Sequence, residues 1–116
     1  MPAAPPQVRI FIHHTAGPGN ALPAIQLAAY LETHGFAVTD IRQVDVPIER
    51  PSVRYFSGGD RRESRRLVDA IGAFYAKAPG RAPHEAADFS QLVPKPRRGS
   101  IEVWLPAPGA DASHST

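Results

Sequence analysis

Apolar and polar residues alternate near both ends of the chain, which is the pattern of a half-buried β-strand. Residues Val8-Arg-Ile-Phe-Ile-His13 place three aliphatic side chains on one face, and Ser100-Ile-Glu-Val-Trp-Leu105 repeats the arrangement. The pattern predicts a third strand at Ser52-Val-Arg-Tyr-Phe56. It also predicts an irregular second strand within Phe36–Val46, because Ile41 breaks the alternation there.

Between these strands the apolar positions recur with the period of an α-helix. The first helix is predicted from Asn20, a good N-cap, to His34-Gly35, because glycine readily adopts the left-handed conformation that ends a helix. The second helix is predicted to begin at Asp60-Arg-Arg-Glu63, whose spacing fits a capping box, and to end at Pro79-Gly80. Its apolar face consists of Leu67, Val68, Ile71, Phe74 and Tyr75.

The predicted order is strand, helix, strand, strand, helix, strand. This order is typical of the α+β, ferredoxin-like βαββαβ fold, a four-stranded antiparallel sheet with two helices on one face and the first and third strands central. The single domain is predicted over residues 8–105, and 80–99 is interpreted as a loop with one helical turn at most. Residues 1–7 are rich in Pro and Ala, and residues 106–116 hold no large apolar side chain. Both ends are therefore predicted to be disordered linkers.

Composition narrows the functional classes. The chain has 116 residues, no cysteine and a formal net charge of +2. This length fits one domain, and the lack of cysteine excludes a disulfide scaffold, a Cys-based zinc finger and thiol catalysis. No apolar stretch approaches the roughly 20 residues that cross a bilayer, so no membrane span is predicted. The segment Met1–Pro6 lacks the basic and apolar regions of a secretory signal.

The open face of such a sheet holds the candidate functional residues. Alternation along the strands places aromatic rings and arginines on this face, which is normally polar. On the third strand, Val53 and Tyr55 could point outward instead of Arg54 and Phe56. The combination favours a platform that stacks on a ligand and hydrogen-bonds to it. The predicted ligand-binding residues are Arg9, Phe11, His13, Arg54, Phe56 and Trp104.

Structural alternatives account for the same residues. The 80–99 loop could cover the open face with Phe89, Leu92 and Val93, in which case the rings belong to the core. The most concentrated charge in the chain is interpreted as a solvated helix face, and it consists of Arg61, Arg62, Arg65 and Arg66.

One string in the sequence has a catalytic pattern. The residues Ile12-His-His-Thr-Ala-Gly17 resemble the zinc-binding opening of the N-acetylmuramoyl-L-alanine amidases and peptidoglycan recognition proteins. The resemblance implies a zinc ion that activates water, with His13 as its first ligand. The remaining candidates, His34, His84 and His114, lack the surroundings that the later ligands of this family have. No metal, cofactor or catalytic residue is therefore predicted, and a zinc-dependent amidase is kept as an alternative.

Most of residues 8–105 resembles two small bacterial modules in its order of elements. "HGFAV" (34–38) followed by "VRYFSGGDRRESRRLVDAIG" (53–72) resembles the C-terminal domain of LytR-type cell-envelope proteins. The order is also similar to that of the SPOR domain, which binds peptidoglycan glycan strands on its sheet face. The pair His13-His14 departs from the Asn-Gly that usually follows the first LytR strand. The resemblance implies a non-catalytic accessory module of a bacterial protein, in the cell envelope or cytoplasm, that binds a glycan or a protein partner.

Two further functions fit the same topology. RNA-recognition motifs stack bases on sheet aromatics, so a nucleic-acid-binding module is an alternative, although Val53-Arg-Tyr-Phe56 matches their aromatic run poorly. A module that pairs with a protein through an edge strand would leave the face residues as core. The sequence therefore predicts a binding or regulatory module and leaves the ligand open.

Overall fold

The computed structural model describes residues 8–107. The linker predicted over residues 1–7, and the part of the predicted C-terminal tail from residue 108 onward, lie outside the described residues. Pro106, at the start of that predicted tail, is buried. No helix of the described segment combines the length and apolar character needed to cross a membrane.

The described chain forms two α-helices and five β-strands. In chain order they are β1 (Arg9–Thr15), α1 (Ala21–Thr33), β2 (Ala37–Val44), β3 (Ser52–Tyr55), α2 (Arg61–Phe74), β4 (Ala86–Asp88) and β5 (Ser100–Leu105). Short 3-10 turns at Gly58–Asp60 and Pro79–Arg81 precede α2 and β4. The α+β class, both helices and the four strands expected from the sequence are confirmed.

The sheet differs from the ferredoxin-like one that the sequence predicts. It has five strands in the order β2-β1-β5-β3-β4 and is mixed rather than antiparallel. Strand β1 pairs in parallel with β2 and with β5, whereas β3 pairs antiparallel with β5 and parallel with β4. The crossover through α1 places β2 on one side of β1, and β5 lies on the other side. Strands β1 and β3 are therefore not neighbours. Strand β5 takes the central position instead.

Strand β4 lies in the segment that the sequence analysis interprets as a loop. Its three residues, Ala86-Ala87-Asp88, are too few and too small to show a strand period. They pair with Val53–Tyr55, and the Phe89 N–H continues the pairing by donating to the Tyr55 carbonyl at 2.8 Å. The helical turn considered for 84–92 is therefore wrong.

The irregularity expected in β2 is confirmed. Opposite Ile10 and Phe11 of β1, the partners on β2 jump from Val38 to Asp40, so Thr39 is an extra residue in the strand. An extra residue of this kind is a bulge, and it resets which side chains face outward beyond it. It brings Asp40 and Arg42 to the face opposite the helices.

The core lies between the helices and one face of the sheet. Fully buried aliphatic residues from β1, β3, β5 and both helices form one cluster, and they are Ile10, Ile12, Leu27, Leu31, Val53, Leu67, Ile71, Ile101 and Val103. The rings of Tyr30 on α1 and Phe74 on α2 meet at 5.0 Å between centroids. Both helices therefore cover the same face, as the sequence predicts, and the opposite face is left for the site.

Only the predicted end of α1 is confirmed, and α2 ends at Phe74 rather than at Pro79-Gly80. Helix α1 closes with the predicted glycine, because Gly35 has φ +86° and the Phe36 N–H donates to the Leu31 carbonyl at 3.0 Å. Neither predicted N-cap side chain caps its helix. Asn20 donates to the Thr15 hydroxyl at 3.0 Å, and the Asp60 carboxylate accepts from the Gly99 N–H at 3.1 Å. The proposed capping box is thus replaced by a tie between the start of α2 and the start of β5.

Candidate functional site

The open face of the sheet carries two cross-strand rows of side chains. Trp104 on β5 has His13 as its partner on β1 and Ser52 as its partner on β3. In the neighbouring row, Glu102 lies between Phe11 and Arg54 in the same way. On β3, Val53 and Tyr55 are buried in the core, so Arg54 is the residue that faces outward. The ambiguity in the sequence is resolved in favour of the arginine.

The Trp104 indole is enclosed between an imidazole and a guanidinium. The His13 ring stacks on it at 4.4 Å between centroids and 11° between planes, and the Arg54 guanidinium carbon lies 4.3 Å from its centroid. These contacts come from strands on opposite sides of β5, so they occupy opposite faces of the ring. The indole N–H donates to a Glu102 carboxylate oxygen at 2.9 Å. Trp104 therefore has no free ring face on which a ligand could stack.

The Arg54 guanidinium is oriented by two aromatic rings rather than by an ion pair within the described chain. Its guanidinium carbon also lies 5.1 Å from the Phe89 centroid, and its Nε donates to the Ser52 hydroxyl at 3.3 Å. Within residues 8–107 no carboxylate forms an ion pair with it. Stacking on aromatic faces orients a guanidinium without using its terminal nitrogens. The two Nη groups are therefore available to an anion.

A groove of about 520 Å³ opens beside this arginine. The lining of this groove consists of Arg54, Phe56, Phe89, Leu92, Pro94, Lys95, Pro96, Glu102 and Trp104. Strands β3 and β5 supply one side, and the segment after β4 supplies the other. Leu92 is 45% exposed and Val93 is 88% exposed, so this segment borders the open face rather than covering it. Of the three residues considered as a cover, Phe89 contacts the face through the Arg54 guanidinium, and Leu92 lines the groove beside it.

The remaining predicted site residues lie apart from the groove. Phe11 packs under Arg42, whose guanidinium carbon is 4.5 Å from the ring centroid and whose Nε contacts the Asp40 carboxylate at 3.1 Å. Arg9 donates to the Ser100 hydroxyl at 3.3 Å. The structure therefore brings only some of the predicted ligand-binding residues together. Arg54, Phe56 and Trp104 line the groove, His13 supports Trp104 from behind, and Arg9 and Phe11 make separate contacts.

His13 is buried and electrostatically constrained. Burial lowers the pKa of its imidazole below the ordinary 6.5, the positive charges of Arg42 and Arg54 add to that effect, and the Glu102 carboxylate opposes it. The ring is therefore neutral at pH 7. Its Nδ1 atom is buried and has no hydrogen-bond partner in the described chain. His13 is thus a neutral stacking partner of Trp104.

The described histidines are not brought together around a metal position. His14 points to the opposite face and its Nδ1 lies 2.9 Å from the Thr15 carbonyl oxygen, while His34 stacks on Tyr30 at 4.1 Å. His84 is exposed, and His114 lies outside the described residues. Among residues 8–107 no group of three or more His, Asp or Glu side chains is placed to hold a metal ion.

The arginines of α2 form the solvated face that the sequence predicts. All four are exposed, and Arg66 pairs with Glu63 at 2.7 Å while its guanidinium lies over the Phe36 ring. They lie on the helix side of the sheet, remote from the groove lining. The basic character of the chain is therefore divided between this face and the groove.

Comparison of the chain with protein-family models, curated proteins and solved structures finds no match. The function of this chain is consequently inferred from its sequence and its site. Six residues of the groove lining are absent from the predicted site, and they are Phe89, Leu92, Pro94, Lys95, Pro96 and Glu102. Phe89 is the one aromatic residue between Pro79 and Gly99, which is the signal that could have assigned it a contact with the sheet.

Proposed function

We propose that this chain is a non-catalytic binding module and that the groove is its ligand site. The observation that carries the proposal is the Arg54 guanidinium, which contacts Trp104 and Phe89 and whose terminal nitrogens have no partner among residues 8–107. A planar guanidinium fixed in this way matches a carboxylate or phosphate with two parallel hydrogen bonds. Lys95 adds a second cation to the lining. The ligand is therefore anionic.

The composition of the groove supports binding rather than catalysis. Its lining contains no hydroxyl, imidazole or thiol, and Glu102 is its single carboxylate. Nucleophilic catalysis needs a nucleophile beside a base. The lining offers no such pair of the usual types, and His13 is separated from the groove by the Trp104 ring.

The bacterial cell envelope is proposed as the source of the ligand on the sequence resemblance to LytR C-terminal and SPOR modules alone, since the observed mixed sheet differs from the ferredoxin-like sheet expected of them. Peptidoglycan supplies carboxylates on both its glycan and its peptide portions. A nucleic acid is less well accommodated, because bases bind sheet aromatics through free ring faces. Both faces of Trp104 are occupied, by His13 and Arg54.

The proposal is tested by titrating the protein with a soluble digest of peptidoglycan. Trp104 is the only tryptophan in the chain, so its emission reports directly on the groove. We expect saturable binding in both fluorescence and calorimetry. Arg54→Ala should abolish it, and Arg42→Ala should not, because Arg42 stacks on Phe11 outside the groove. Equal binding by the wild type and the Arg54 variant would reject the groove as the site.

A further inference from the structure

The groove combines a cation with an apolar wall, and this combination limits the chemical class of ligand that it can bind. Phe56 is 3% exposed, and its ring lies 6.0 Å from that of Phe89. Leu92 and the prolines Pro94 and Pro96 continue the apolar surface along the segment after β4. The Arg54 guanidinium lies at the edge of this wall, over the Phe89 ring. A ligand that satisfies both must carry a carboxylate next to an apolar group.

We infer that the groove captures the carboxyl-terminal end of a peptide whose last side chain is apolar, an inference that rests on the proposed function. In such an end, the free carboxylate and the apolar side chain share one carbon atom, so both reach adjacent subsites. The carboxylate accepts from the Nη groups of Arg54, and the side chain packs between Phe89 and Leu92. Capture of a terminal carboxylate is an established mode of peptide recognition.

The alternatives fit this lining less well. A glycan strand presents hydroxyl groups, for which an apolar wall offers few hydrogen-bond partners, and the Trp104 ring has no free face for a sugar. The volume of about 520 Å³ is that of a pocket for a small ligand rather than for a long chain. An end of a chain, rather than its middle, is what the groove can enclose.

Glu102 sets a further requirement on the ligand. Its carboxylate accepts from the Trp104 N–H at 2.9 Å, and Glu102 lines the groove at the strand position paired with Arg54. It repels a second acidic group on the ligand, so the groove selects one carboxylate and not two. Replacement of Glu102 by glutamine removes this repulsion and should raise the affinity for anionic peptides.

The test is calorimetric titration of the full chain with N-acetyl-Ala-Ala-Leu as the free acid and as the carboxamide. We expect the free acid to bind and the amide to bind at least about tenfold more weakly, since a charge-assisted bidentate contact is lost. N-acetyl-Ala-Ala-Asp, which has the terminal carboxylate but an acidic last side chain, should also bind more weakly. Equal affinities for acid and amide would overturn the inference.

Variants assign the effect to the groove. Arg54→Lys keeps the charge but loses the planar pair of donors, so it should reduce the preference for acid over amide, whereas Arg42→Lys should leave it unchanged. Because the acid and amide comparison uses wild-type protein, a variant that fails to fold does not remove the test. Purified glycan strands without peptide form the last arm. If these strands bind and neither peptide does, the inference is overturned and the proposed function stands. If neither the strands, the peptides nor the peptidoglycan digest binds, both are overturned.

Discussion

At the scale of single residues, the open face is organised around Trp104. Its ring is held by His13 and Arg54, and its N–H by Glu102. His13 lies on β1, Arg54 on β3 and Glu102 on β5. The indole therefore connects these three strands on the face that the helices do not cover. The position of the Arg54 guanidinium therefore depends on an aromatic residue that itself has little free surface.

Substitution of Trp104 should separate these two roles. We expect Trp104→Ala to lower the free energy of unfolding by about 2–3 kcal/mol, somewhat less than for a fully buried tryptophan because the ring is only half-buried. It should also weaken ligand binding, since Arg54 loses its support. Trp104→Phe keeps an aromatic ring but loses the hydrogen bond to Glu102 and part of the ring area, at a cost of about 1 kcal/mol. Urea unfolding followed by circular dichroism measures both, and equal losses for the two variants would contradict the account.

The buried imidazole of His13 predicts a pH dependence of stability. Burial above all lowers the pKa of His13 in the folded chain below its ordinary 6.5. The unfolded chain then binds more protons than the folded one between these two pKa values, so stability falls as the pH drops through that interval and is fully present above 6.5. A His13→Phe variant should show a flatter profile between pH 7 and 5 in thermal unfolding, with pH values chosen to bracket the ordinary pKa of about 6.5. A profile identical to that of the wild type would show that His13 does not contribute.

Asp88 is a second group whose pKa differs from its ordinary value, and it affects stability in a more acidic range than His13 does. Hydrogen bonds from Ser90 lower the pKa of the Asp88 carboxyl below its ordinary 3.8. Its contribution to stability is present above that value and is lost as the pH falls further, through the folded-state pKa. Asp88 therefore does not obscure the change that His13 produces nearer to neutral pH.

At the scale of elements, the two helices offer a contrasting pair of glycines. Gly35 ends α1 with φ +86° and Gly72 lies inside α2, and a Cβ would meet nothing within 4 Å at either. The effect of alanine is therefore conformational in both cases. Gly35→Ala should destabilise by about 1 kcal/mol because the left-handed region disfavours a side chain. Gly72→Ala should stabilise by about 0.5–1 kcal/mol, because alanine is the better helix former.

The two glycine variants are checked by the midpoint of urea unfolding. Opposite shifts of the midpoint at an unchanged slope are the expected result. A loss of stability for both variants would mean that α2 does not extend through residue 72 as a regular helix.

The elements show how far sequence reasoning reaches. Strands with clear alternation, such as β1 and β5, and a helix with a glycine end, such as α1, follow from local patterns. Strand β4 does not, because Ala86-Ala87-Asp88 carries no periodic signal and exists through its pairing with β3. Pairing partners are long-range, so element order alone permitted a ferredoxin-like sheet although β1 in fact lies between β2 and β5.

The site was predictable to a similar extent. Alternation correctly placed Arg54 and Trp104 on the open face as one of its possibilities. It could not show that His13 and Arg54 occupy both faces of the indole, because that depends on which strands flank β5. The expected stacking platform thus becomes a fixed guanidinium beside an apolar wall.

At the scale of the whole molecule, carboxylates protect the sheet edge that β2 forms. The long edge strand β2 has two backbone N–H groups that donate to carboxylates instead of a strand, Val38 to Glu32 at 2.9 Å and Ile41 to Asp40 at 2.9 Å. Charged side chains at an edge hinder pairing with another chain. Pairing of a partner strand with β2, one alternative from the sequence, is therefore disfavoured.

Removal of this protection should promote self-association. The Glu32→Ala variant frees the Val38 N–H on the edge of β2 and is expected to raise the apparent mass in light scattering at high protein concentration. Glu49→Ala, which removes an exposed carboxylate from the turn between β2 and β3, is the matched control. An unchanged mass for Glu32→Ala would show that its carboxylate does not guard the edge.

Ligand binding in the groove can be tested residue by residue with nuclear magnetic resonance. In a titration of the wild-type chain with a soluble peptidoglycan digest, we expect saturable shifts of the Trp104 indole N–H and of the Arg54 Nε–H. The side-chain signals of Arg42 and of the α2 arginines should remain unmoved. Saturable shifts confined to α2 or to Arg42, with the Trp104 and Arg54 signals unchanged, would contradict the account.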